Sequence, residues 1–293
     1  MNDFQRSDIT VGGVSTRIWR KGRSPTAFVF LHGGIPGLTP YANGTHIWGD
    51  VLERFADERT VVAFDSLGAG GTGVPTDALT VERMVAHTRG TLESLGITQA
   101  HLVGHDLGGL VALALAIAAP ESISAVTTVA STAAMPSGDM AENLTLAHPP
   151  RPLWRRESQA WALERVSYAH HHIDTTLLDA CVAAAEGSAH RDACERMASG
   201  TDGFAGSITQ AKTLLYERCR GVGVRVPVQI IAGSHDPLGT MDQSLALFRL
   251  IAAKQRATHL HVINRTGALP FLEAPATFHE IVAAFADGLG SGA

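Results

Sequence analysis

Gly104-His105-Asp106-Leu107-Gly108-Gly109 stands directly behind the strand-like Ala100-His101-Leu102-Val103 and directly ahead of the helix-forming Leu110-Val111-Ala112-Leu113-Ala114. Buried strand, sharp turn and buried helix in immediate succession form the pattern G-x-Nuc-x-G, which holds its central residue on a strained turn. Gly104 and Gly108 suit the close packing of strand on helix because they carry no Cβ. The central residue is usually serine; here it is Asp106. A serine attacks acyl carbon, whereas a carboxylate attacks alkyl carbon and leaves an alkyl ester. The single letter therefore points away from acyl transfer and toward displacement at an electrophilic alkyl carbon.

Composition narrows the alternatives. The 293 residues suit one large α/β domain with an insertion, or two domains at most, and 45% hydrophobic with 17% charged residues supplies a core. A formal charge of -5 offers no field for a polyanion, so nucleic acid is excluded as a partner. Cys181, Cys194 and Cys219 show no C-x-x-C spacing and read as reduced thiols, neither disulfide nor zinc ligands. The first residues, Met1 to Asp8, lack a basic region followed by an apolar run, so no secretory signal is expected. The longest apolar segment, Leu110 to Ala119, is too short to span a bilayer. The expectation is a cytoplasmic protein without membrane contact, metal or cofactor, acting on a small-molecule substrate, with a homodimer left open.

Along the chain, Ile9 to Trp19 alternates around Gly12-Gly13 as an opening hairpin does. Continuous apolar runs at Ala27–Leu31, Thr60–Phe64, Ala125–Ala130, Val228–Ala232 and Leu260–Ile263 read as strands buried on both faces of a parallel sheet. Val81 to Leu95 and Thr277 to Phe285 have helical spacing, and Gly288 to Ala293 reads as a tail. Alternation of strand and helix predicts an α/β fold, with a mostly parallel sheet and helices on both faces. Between residues 133 and 225 the strand-like runs stop, and Trp154, Trp161, His170-His171-His172 and alanine-rich stretches take over. This segment is read as an inserted helical cap over the carboxyl ends of the strands, with residues 1–132 and 226–293 as the core. Gly68 to Gly73 matches G-x-G-x-x-G by letter, but it starts four residues past its strand and is followed by Val74-Pro75, so it reads as an ordinary loop.

The elbow, Leu31-His32-Gly33-Gly34-Ile35-Pro36-Gly37, Phe64-Asp65-Ser66-Leu67-Gly68, Gly233-Ser234-His235-Asp236 and Gly267-to-Pro275 fall in an order that resembles the α/β-hydrolase superfamily. The resemblance covers the chain outside the cap. The aspartate elbow resembles the epoxide hydrolase and dehalogenase branch, while the HGG-I-PG loop is similar to the loop of carbon-carbon bond hydrolases. It implies Asp106 as nucleophile, Asp236 as the acid that orients a histidine, and an oxyanion hole at Gly34, Ile35 and Leu107, with His32 and His105 beside it. The last segment fits G-H-x-P-x-x-E-x-P everywhere except at the histidine, where Ala268 stands. A covalent hydrolase without that imidazole stalls at its ester.

Three explanations of Ala268 stay open: an introduced change that traps the ester, a native enzyme that needs no hydrolysis, and a retired catalyst. Leu107 in place of the halide-binding tryptophan counts against dehalogenation. Epoxide hydrolases protonate the epoxide oxygen from cap tyrosines, which makes Tyr168 and Tyr216 the candidates. The leading expectation is an epoxide-hydrolase-like enzyme on a small or medium organic substrate. Its rivals are a rearrangement, cyclisation or elimination with Asp106 as acid or base, and a ligand-binding pseudo-hydrolase. Ala268→His places an imidazole between Asp236 and Asp106, and the expected outcome is faster diol formation from an epoxide. No gain with any epoxide or ester points to native non-hydrolytic chemistry.

Overall fold

The computed structural model describes residues 3–37, 39–57, 59–136 and 143–290. The opening hairpin pairs β1 (Gln5–Val11) with β2 (Val14–Lys21), antiparallel, with Val11 opposite Val14 across Gly12-Gly13. Both glycines have positive φ, which the tight reversal requires. β3 (Thr26–Leu31), β4 (Thr60–Phe64), β5 (Gln99–His105), β6 (Ile123–Val129), β7 (Val228–Gly233) and β8 (Thr258–Ile263) complete one eight-stranded sheet in the order β1-β2-β4-β3-β5-β6-β7-β8. Every pairing from β4 to β8 is parallel. This is the mostly parallel sheet that the apolar runs predict.

Period-two alternation divides the core between the two faces. Val29 and Leu31 of β3 pack with α2 (Val81–Ser94), α3 (Leu107–Ala118), α7 (Phe204–Arg220) and α8 (Met241–Ala252) through Met84, Leu110, Leu215 and Leu247. Phe28 and Phe30 pack on the other face against Trp48, against Phe55 of α1 (Val51–Ala56), against Phe271 of α9 (Pro270–Glu273) and against Phe278 of α10 (Pro275–Gly290). Trp48 and Phe271 have ring centroids 4.4 Å apart, and both are fully buried. Burial of each such ring stabilises the fold by roughly 1.5–3 kcal/mol.

Four helices stand between β6 and β7: α4 (Arg156–Val166), α5 (Thr175–Glu186), α6 (Ser188–Ser199) and α7. No strand interrupts them among the described residues. α7 packs on α2, α3 and α8, so it belongs physically to the layer that covers the sheet. The expected tail differs: α10, anchored by the buried Phe278, Val282 and Phe285, continues through Gly290 despite the weak helix propensity of glycine. Residues 291–293 lie outside the described residues. No described helix is long and apolar enough to cross a membrane. The Gly68–Gly73 segment closes on itself through Gly68 N–H to Gly73 O at 3.0 Å, and no helix opens until Val81.

The junction of β5 and α3 is the tightest place in the fold. A Cβ on Gly104 would stand 2.3 Å from Gly108 O, and one on Gly108 would stand 2.2 Å from Leu31 O. These obstacles are backbone and cannot swing aside. Gly108→Ala is expected to cost about 1–3 kcal/mol or more, read as a lower urea midpoint. Gly206→Ala, which meets nothing within 4 Å and lies in α7, is the matched control and should leave the midpoint unchanged or raise it.

Candidate active site

Asp106 occupies the elbow with φ 45 and ψ -113, a backbone conformation that L residues adopt only when the surroundings impose it. The surroundings do so here. Its N–H donates to Val129 O at 3.0 Å, and its carbonyl accepts from Ser131 Oγ at 2.6 Å. The half-buried carboxylate is held at both oxygens. Thr132 Oγ1 donates to Oδ1, and Gly34 N–H approaches Oδ2 at 3.5 Å. Leu107, buried at the first turn of α3, presents its N–H at a helix N-terminus, where backbone donors lack intrahelical partners.

The other expected oxyanion residues are differently employed. Ile35 N–H donates to Thr39 Oγ1 at 2.9 Å, so it is turned into its own loop. His32 uses both ring nitrogens: Nδ1 meets Gly33 O at 2.8 Å and Nε2 accepts Ser66 N–H at 2.9 Å. That imidazole ties the loop after β3 to the loop after β4, and burial lowers its pKa against the pull of Asp65. His105 lies behind the elbow between Trp48 and Phe271, with Nε2 at 3.1 Å from Ala268 O. Burial lowers its pKa too, and its Nδ1 lies without a partner against the Gly33 backbone.

Asp236 is 9% exposed. Its Oδ1 accepts the N–H groups of Leu238 at 2.8 Å and Gly239 at 3.1 Å, while Oδ2 is buried with no hydrogen-bond partner. Burial pushes its carboxyl up to about 7; the two N–H donors oppose that, and the charges of Asp106 and Glu273 add to it. Ala268 is buried, with its N–H on Val166 O at 2.8 Å. Glu273 clasps this region. Oε1 accepts Gly267 N–H at 2.7 Å, and Oε2 accepts the N–H groups of Tyr168 and Ala169 at 2.8 Å each.

Neither tyrosine chosen from sequence reaches the Asp106 carboxylate, whose partners are Thr132 and Gly34. Tyr168 is 42% exposed, its ring 4.4 Å from that of His235, with Arg265 over its face. Tyr216 donates its hydroxyl to Ala134 O at 3.0 Å. The third tyrosine, Tyr41, is 4% exposed and lies close enough to Asp106 and Asp236 for their charges to reinforce the upward push that burial gives its phenol. Asn43 beside it is buried, with Oδ1 unpartnered and Nδ2 against Gly34. Thr132, Tyr41 and Asn43 were missed in the sequence. Their available signal was position, just beyond the carboxyl ends of β6 and β3.

Tyr41 also walls a cavity of about 420 Å³ between its loop and the inserted helices, together with Gly37, Trp154, Gln159, Arg191 and Cys194. A larger cavity of about 640 Å³ opens at the amino ends of the strands around Phe28, Arg59 and His101, away from Asp106. Among the described residues no group of three or more His, Cys, Asp or Glu is placed to hold a metal.

The profile of the alpha/beta hydrolase fold matches residues 26–275. A 2-hydroxymuconate semialdehyde hydrolase of Pseudomonas sp. (strain CF600) is 38% identical over 117 residues, 40% of each chain. A fluoroacetate dehalogenase of Burkholderia sp. is 32% identical over 125 residues, 41% of this chain and 38% of that one. The aligned stretches thus span about two fifths of these curated relatives. Among solved structures, a meta-cleavage product hydrolase from Pseudomonas fluorescens IP01 superposes with a TM-score of 0.78 at 21% identity, covering 98% of this chain and 99% of that one. The epoxide hydrolase CorEH superposes with a TM-score of 0.74 at 18% identity, covering 98% and 99%.

The raised carboxyl of Asp236 has a stability consequence. A group that holds its proton more tightly folded than unfolded stabilises the fold fully below the unfolded pKa, and that contribution is lost as pH rises to the folded pKa. For Asp236 the loss falls between about pH 4 and 7. Asp236→Asn removes the buried charge and keeps an acceptor for Leu238 and Gly239. The variant is expected to melt at least about 2 °C above the parent at pH 8, with the gap closing toward pH 4, by thermal denaturation across that range.

Proposed function

The chain belongs to the alpha/beta hydrolase fold family, and on that premise we propose that it opens epoxides of small or medium organic molecules through a covalent ester on Asp106. One observation carries the reading: a carboxylate, not a hydroxyl, occupies the strained elbow, and the donors around it fit a carboxylate. Thr132 fixes Oδ1, leaving the carboxylate in one rotamer for in-line attack. Gly34 approaches Oδ2, and the Leu107 N–H at the start of α3 is the second donor this reading assigns to the oxyanion formed when water later adds to the ester.

The leaving oxygen of an epoxide needs a proton, since an unassisted alkoxide leaves poorly near neutral pH. Tyr41 takes this role in the proposal, replacing Tyr168 and Tyr216. It is the tyrosine whose phenol feels the charge of Asp106, and it stands between that carboxylate and the cavity beneath the inserted helices, whose lining includes Tyr41 but not Asp106. The helices from α4 to α6 then act as the cap. In this reading Asp236 stands as the acid of the triad and position 268 as the place of its histidine, here an alanine.

A second reading is favoured by Ala268 alone: a rearrangement or elimination in which Asp106 moves a proton and no ester forms. Intact-mass measurement with styrene oxide separates the two. The expected result is a transient adduct of one substrate mass on Asp106, lost in Asp106→Asn, which should reduce ring opening by orders of magnitude with an unchanged melting temperature. Turnover with no adduct selects the second reading. Tyr41→Phe is expected to slow adduct formation about 10²–10⁴-fold, whereas Tyr168→Phe and Tyr216→Phe should change it little.

A further inference from the structure

We infer that Asp236 is itself the general base of this site, taking the proton from the water that hydrolyses the Asp106 ester. The inference rests on the Asp106 reading above and names the group that completes its second half. It starts from an unequal carboxylate. Oδ1 is spent on Leu238 and Gly239, while Oδ2 is buried and unpartnered. A buried polar oxygen left without a donor is costly to the fold. With alanine at position 268 no ring N–H is offered from there, so Oδ2 keeps its lone pairs for a proton taken from the water of hydrolysis.

The alternatives are occupied or misplaced. His32 has both nitrogens engaged, and the free Nδ1 of His105 lies on the backbone side of the elbow against Gly33. The charges that bear on Asp236 are those of Asp106 from the elbow and Glu273 from α9, and Tyr41 from the loop after β3 feels the charge of Asp236 in turn. None carries a positive charge. Burial and the two carboxylates therefore bring Asp236 to about 7, which suits a base working at neutral pH, where an ordinary carboxylate is too weak.

The proton and electron count closes. An Asp106 oxygen bonds to an epoxide carbon as the ring C–O bond breaks, and the ring oxygen takes the Tyr41 proton. Water oxygen then adds to the ester carbonyl carbon. Its proton passes to Asp236 Oδ2, and the charge moves to the oxygen whose donors in this reading are Gly34 and Leu107. Collapse breaks the acyl C–O bond, and the departing diol oxygen takes the proton back from Asp236. The proton left on the Asp106 carboxyl returns to Tyr41, so epoxide plus water gives diol.

The test is quenched-flow intact mass with styrene oxide as probe, on the parent and on Asp236→Asn, from pH 5.5 to 8.5. Adduct loss in the parent should accelerate with pH, half-maximal near 7, and plateau above it. In Asp236→Asn the adduct should still form, then decay about a hundredfold more slowly with no inflection. A folded Asp236→Asn protein that loses its adduct at the parental rate overturns the base role and leaves the Asp106 nucleophile standing. An adduct that never decays on the parent does the same. Absence of any adduct on either protein overturns the Asp106 reading, and the base role falls with it.

Discussion

Backbone contact between strand β5 and helix α3 is the constraint on which the rest depends. Gly104 faces Gly108 O, and Gly108 faces Leu31 O, at distances that exclude even a methyl group. Strand, helix and neighbouring strand β3 are thereby drawn together at one point, and Asp106 has no freedom to leave φ 45. The strain is held by Val129, Ser131 and the two buried layers of side chains on either face of the sheet. Rigid packing elsewhere makes a costly conformation at one residue the lowest available state.

From that fixed carboxylate the electrostatics of the site follow. Asp106 and Glu273 both act on Asp236 in a desolvated region, without a cation among the groups that set the ionisation of Asp236. Backbone N–H groups do the neutralising: Gly34 toward Asp106, Leu238 and Gly239 toward Asp236, and Gly267, Tyr168 and Ala169 toward Glu273. Such donors lower a carboxyl pKa less than burial raises it at Asp236 and Glu273. The result is a site in which burial lifts the Asp236 carboxyl to about 7 and raises that of Glu273 as well.

Much of the fold was legible because local sequence and global structure agree. The runs at β3, β4, β6 and β7 are apolar on both faces, as only a covered parallel sheet demands, and the elbow glycines announce a close approach. What stayed hidden depends on direction. Helical spacing places Tyr216 in the insertion but does not say that its hydroxyl meets Ala134 O. The HGG-I-PG letters suggest an amide at Ile35 for the site, yet Thr39 four residues on captures it. Tyr41 sits in a loop with no periodicity, and its meaning arises from Asp106 and Asp236, which lie far along the chain. The shifted carboxyl of Asp236 is likewise a product of burial, a quantity that no single residue carries.

The clasp made by Glu273 has one more consequence. The peptide at position 268 is fastened by Val166, His105 and the glutamate's hold on Gly267, none of which involves the side chain that position 268 bears. The main chain here is thus positioned independently of the side chain it carries. Backbone placement and side-chain identity are decoupled at this address, so the hydrogen bonds that fix the loop do not depend on which residue occupies it.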